Sequence, residues 1–98
     1  LFVHAGIHPD LPLEQQRTGH LRWIREPFLG HVGDHGFVVV HGHTITEEAQ
    51  VLANRIGIDT GAYQSGRLTA LGLEGSTRWL IETADDGGDV RTRQRKAE

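Results

Sequence analysis

The run Phe37-Val38-Val39-Val40 constrains this chain more than any other segment. Four apolar residues stand in a row without the polar alternation of a half-exposed strand, so the strand they form must be covered on both faces. Such a strand belongs inside a layered sheet, which predicts an α/β or α+β arrangement in which mixed sheets pack with helices outside. The run leads into His41-Gly42-His43-Thr44. A second apolar run, Leu1-Phe2-Val3, also ends in histidine, at His4, just before Ala5-Gly6. Open sheets bind ligands beyond the carboxyl ends of their strands, where glycine lets the backbone come close to a ligand. Two strands that each carry an imidazole to a glycine-bearing loop at the same end have the geometry of a metal site.

The remaining chain is read from its periodicity. Leu13, Leu21, Ile24 and Phe28 fall at roughly helical spacing, interrupted near Thr18-Gly19 and at Pro27, which predicts two short helices. Thr46–Ala49 is expected to turn, and Ala53 to Asp59 alternates as a strand does. Ser65-Gly66 marks a further turn. Arg67 to Glu74 and Thr77 to Thr83 alternate on either side of Gly75-Ser76, the pattern of consecutive antiparallel strands. From about Ala84 the sequence is charged and aperiodic, so residues 84–98 are expected to be a disordered tail behind a folded part spanning 1–83. The chain opens on an apolar run with no lead-in, and we expect it to be a fragment of a larger domain.

Composition narrows the chemistry. Ninety-eight residues with 37% apolar content suit one small domain at most. No cysteine is present, which removes thiolate nucleophiles and Cys-ligated zinc and fits a reducing cytoplasm. Net charge is −3, with basic residues clustered only at Arg91, Arg93, Arg95 and Lys96, so broad nucleic-acid binding is disfavoured, and no apolar segment suits a membrane. Seven histidines and thirteen glycines point instead to imidazoles gathered by tight loops. Ser65 and Ser76 lie outside any G-x-S-x-G setting, which argues against a serine–histidine–aspartate hydrolase.

Four short motifs then occur in order. Phe2-Val3-His4-Ala5-Gly6 resembles a "VHAG" strand-loop, Trp23-Ile24-Arg25 a "W-x-R" segment, Val40-His41-Gly42-His43-Thr44 a "GHT" loop, and Ile58-Asp59-Thr60-Gly61-Ala62 an "IDTGA" stretch. Together they resemble the phosphoprotein phosphatase branch of the calcineurin-like metallophosphoesterases, over residues 1 to about 82. The resemblance implies the C-terminal half of a metallophosphoesterase β-sandwich with flanking helices. It implies that His4 and His43 bind one of two divalent metal ions, Mn²⁺ first, with Fe or Zn²⁺ as alternatives, and that Arg25 grips the substrate phosphate. The family's "D-x-H", "G-D-x-x-D-R-G" and "G-N-H-E" motifs, with the other ligands, do not occur here. The N-terminal half of the domain is therefore the partner this reading requires. The implied reaction of the complete enzyme is direct hydrolysis of phosphomonoesters, on phosphoserine or phosphothreonine of proteins. Dinucleoside polyphosphates are the alternative substrate, and a non-catalytic interaction remnant is the alternative role.

Several residues admit a plainer reading. His41 shares a strand face with His43 and either adds a ligand or supports the fold, with the supporting role favoured. Asp59 either caps the turn at Gly61 or orients an imidazole. Tyr63 either flanks the substrate cleft or packs. His8, His20, His31 and His35 sit among polar and glycine-rich neighbours and are expected to be exposed.

Overall fold

The computed structural model describes residues 1–86 and 89–97 and has an α+β fold. Its first sheet is mixed, in the order β1-β3-β2: Val39–His41 (β1) pairs in parallel with Arg55–Gly57 (β3), which pairs antiparallel with Gln50–Val51 (β2). All residues of β1 are buried, as an unalternating run requires, and so are all residues of β3, where alternation between a covered and an open face was expected. The Leu1–His4 segment runs beside β1 and joins it through a single parallel bridge, Phe2 to Val40. Val40 N–H donates to Leu1 O at 2.8 Å, Val3 N–H to Val40 O at 3.0 Å and Gly42 N–H to His4 O at 2.8 Å. These bonds bring the ends of the two apolar runs, and so His4 and His43, to one edge.

Ala5, Ile7, Ile24, Phe28 and Val39 form the main core, with Val3, Leu21 and Leu29 packed on it. Phe28 is fully buried and lies so close to Gly6 that a Cβ there would stand 2.3 Å from the ring. Only glycine fits under it. Helix α1, Thr18–Trp23, begins where the sequence suggested a break. The interruption falls earlier, at Gln16 and Arg17, both extended. Gln16 has left the helical path to tie the preceding loop, its amide donating to His8 O and Leu11 O at 2.9 Å each. The second expected helix is reduced to isolated turns, Leu29 N–H to Arg25 O and His31 N–H to Phe28 O. Pro27 and the glycines at 30, 33 and 36 prevent its extension.

The second sheet is antiparallel: β4 (Thr69–Glu74), β5 (Thr77–Asp86) and β6 (Asp89–Lys96). Short helix α2, Ala62–Ser65, precedes it and ends on Gly66 in a left-handed cap, where a simple turn was expected. The β4–β5 turn falls at Gly75-Ser76, as its alternation indicates. Gly72 lies beneath the Trp79 ring, with no room for a Cβ.

The expectation of a disordered tail from Ala84 is corrected here: most of that stretch extends β5 and forms β6. Residues 87, 88 and 98 of it lie outside the described residues. The cause is Glu82, 1% exposed on β5. Arg93 grips its Oε2 through Nε and Nη2 at 3.2 and 2.9 Å, and Arg95 grips Oε1 at the same distances. Burial alone would raise this carboxyl, but the hydrogen bonds and charges of Arg95 and Arg93 outweigh it and hold the pKa below the ordinary glutamate value. A buried carboxylate needs such partners, and the alternate residues of the basic run supply them. The two sheets meet through Thr60, whose hydroxyl donates to Arg67 O and accepts from Thr69, both at 2.8 Å. Among the described residues no helix is long and apolar enough to cross a membrane.

Candidate metal centre

His4 and His43 come together, their ring centroids 5.3 Å apart. The turn that carries His43 explains the approach. Thr44 N–H donates to Gly42 O at 2.8 Å, closing a three-residue turn about His43, whose φ is +68°. A γ-turn of this hand is rare and strained, and a non-glycine residue holds it only where its surroundings fix it. In this turn the His43 imidazole lies beside that of His4. Trp23, at the end of α1, stands edge-on to the His43 ring at 5.8 Å. His43 Nε2 is buried and has no hydrogen-bond partner. A buried ring nitrogen in that condition fits a metal ligand's unused donor atom.

His4, His43 and Asp59 line one groove of about 400 Å³, with Phe2, Val40 and Leu68 as its apolar walls. Asp59 accepts the Gly61 N–H through Oδ1 at 3.1 Å, so it caps the turn after β3 while facing the Gly42 loop. Among the described residues no three His, Asp or Glu side chains gather as a metal-binding group. What the described residues bring together here is a pair of imidazoles.

His41 has both nitrogens engaged. Nδ1–H donates to Gly42 O at 3.1 Å and Nε2 accepts from Arg55 Nη1 at 3.0 Å, while Phe28 meets the ring edge-on at 5.0 Å. Burial lowers its pKa, the bond to Gly42 opposes this, and the Arg55 charge adds to the lowering. It is a neutral imidazole that braces the Gly42 loop.

Arg25 and Tyr63 are not drawn into the groove. The Arg25 side chain is exposed and makes no hydrogen bond or ion pair among the described residues, and Tyr63 is 80% exposed on α2. The expectation that the other histidines are exposed is also corrected. His8 pairs with His20 at 5.2 Å between centroids and His31 with His35 at 5.0 Å, and each of the four is half-buried. The glycine-rich loop folds back so that His35 stacks on Phe28 at 5.9 Å. Burial, with His31 nearby, lowers the His35 pKa, against a smaller opposing effect of Asp34.

Arg55 escaped the sequence reading, because an arginine within an alternating strand is normally an outward residue. Here it is 5% exposed, and burial lowers its pKa while the field of Glu26 opposes this. The sole hint was that a buried His41 must find a partner. Comparison with protein-family models, with curated proteins and with solved structures found no match.

Proposed function

We propose that this chain is the C-terminal part of a metal-dependent phosphoesterase, with His4 and His43 holding one divalent cation and Arg25 binding the substrate phosphate. The observation that carries the proposal is the 5.3 Å meeting of two imidazoles from separate loops, one presenting a buried, unpartnered Nε2. Imidazole suits borderline divalent ions such as Mn²⁺, Fe²⁺ and Zn²⁺. A divalent ion, when bound, supplies Lewis-acid charge for a phosphoryl oxygen and lowers the pKa of water.

The chain's own residues have separable tasks in this reading. His43 is aimed by the strained turn, and His41 braces that turn through Gly42. Trp23 walls one side of the His43 ring. Arg25, two residues beyond Trp23 and free of internal partners among the described residues, has a guanidinium fork available for two phosphate oxygens. The substrate class we propose is phosphoserine and phosphothreonine on proteins. A chain without cysteine suits the reducing cytoplasm.

In this reading the remaining ligands come from an N-terminal half of the domain, so the test uses the two together. The joined domain should hydrolyse p-nitrophenyl phosphate with added Mn²⁺, and His43→Ala should lower the rate by roughly a hundredfold or more. Full activity in that variant would exclude the ligand role.

A further inference from the structure

A second cavity, of about 200 Å³, is lined by Thr44, Thr46, Gln50, Arg55, His41 and Leu29. Its dominant feature is the buried guanidinium of Arg55. Nη1 donates to His41 Nε2 and Nη2 to Gln50 Oε1, each at 3.0 Å, and both acceptors are neutral. The Phe28 ring lies 6.0 Å from its central carbon. Among the described residues no carboxylate stands within ion-pair distance of Arg55. Glu26, the acid whose field reaches it, is exposed, and its carboxylate accepts the Gly30 N–H. A buried cation normally has a counter-charge.

Two polar atoms of these lining residues are buried without a partner: Arg55 Nε and Thr44 Oγ1. The first is only a donor, and the second can donate. The obvious side-chain acceptors nearby, Gln50 Oε1 and His41 Nε2, are already used by Arg55, while Thr46 spends its hydroxyl hydrogen on Glu48 O. The hydroxyl oxygens of Thr44 and Thr46 leave water acceptors in such a place, so what favours an anion is the uncompensated charge of Arg55. An anion needs donors only, and the volume is several times the roughly 30 Å³ a single water occupies in the liquid.

We propose that this cavity binds a small inorganic anion, chloride or phosphate, which accepts from Arg55 Nε–H and from the Thr44 hydroxyl and so supplies the missing counter-charge. Bound there, it anchors Thr44, the residue that closes the turn about His43. The site uses none of the residues assigned to metal or substrate, so it stands or falls separately from the phosphoesterase reading.

Thermal unfolding of the chain in EDTA tests it, with sodium chloride and sodium phosphate compared against sodium gluconate, a bulkier anion, at matched ionic strength. The midpoint should rise saturably with chloride or phosphate and not with gluconate; whichever of the two saturates at lower concentration is the preferred ligand. Thr44→Val should weaken the apparent affinity roughly tenfold, as loss of one charge-assisted hydrogen bond does. Gln50→Glu builds a carboxylate beside Arg55 and should abolish the anion response, which keeps the test decisive if Thr44→Val does not fold. An equal response to gluconate, or an undiminished chloride and phosphate response in either folded variant, would overturn the proposal.

Discussion

His43 holds a backbone conformation that costs a non-glycine residue on the order of 1–3 kcal/mol, and it sits where two loops converge. The predicted consequence is a trade between stability and chemistry. His43→Gly should stabilise the chain by about 1 kcal/mol in denaturant unfolding, since glycine adopts positive φ freely, and should remove the imidazole. His43→Ala should give no such gain. Histidines also set the pH response. His35 and His41 have folded pKa values below those of the unfolded chain, so the unfolded state binds more protons as pH falls. Their contribution is fully present above the ordinary histidine pKa and is lost as pH drops through it toward the depressed values. Unfolding midpoints measured from pH 8 to pH 5 should therefore decline below about 6.5, and His35→Phe should flatten part of that decline. At this scale the sequence was informative about His4 and His43, because each follows an apolar run into a glycine loop. It was silent on Arg55, which is held by His41 and Phe28, and wrong about His35, which was expected to be exposed and instead stacks on Phe28.

At the scale of elements, charge patterning misled where apolar patterning guided. The Phe37–Val40 run announced a doubly covered strand; its second half, with His41, forms the buried β1, while Phe37 lies outside the strand and is exposed. Arg91, Arg93 and Arg95 suggested a solvated tail, yet alternation puts Arg93 opposite a buried acid across a β ladder and Arg95 diagonal to it on the same face. Cross-strand pairing of this kind cannot be read without the register. Glu82→Ala should cost about 2 kcal/mol, less than for a fully buried pair because both arginines remain half-exposed to water. It should also release β6, which limited trypsin digestion at Arg93 and Arg95 would detect. Since the Glu82 pKa is depressed when folded, its contribution is complete above the ordinary carboxylate range and is lost as pH falls below it. Gly6→Ala tests the core from the other side: its Cβ would collide with Phe28, and a loss of roughly 1–3 kcal/mol in denaturant unfolding is expected.

Taken whole, the molecule measures 46 × 29 × 19 Å, with a radius of gyration of 14.3 Å. That exceeds the roughly 13 Å of a round domain of about this length. The second sheet is tied to the rest through the hydroxyl pair of Thr60 with Thr69 on β4 and the contact of Glu48 with Arg95 on β6. The metal-site edge belongs to the other sheet, where the ends of the Leu1–His4 segment and β1 are stitched by the Gly42 N–H to His4 O bond. Everything proposed about phosphate chemistry depends on both imidazoles serving one cation. The most direct measurement is a Zn²⁺ titration of the ¹⁵N-labelled chain, followed through the ring nitrogens of its seven histidines by NMR. The account predicts that the His4 and His43 ring nitrogens shift together with a single stoichiometry, while those of His41 stay in place. Shifts confined to other histidines, or independent responses of His4 and His43, would contradict it.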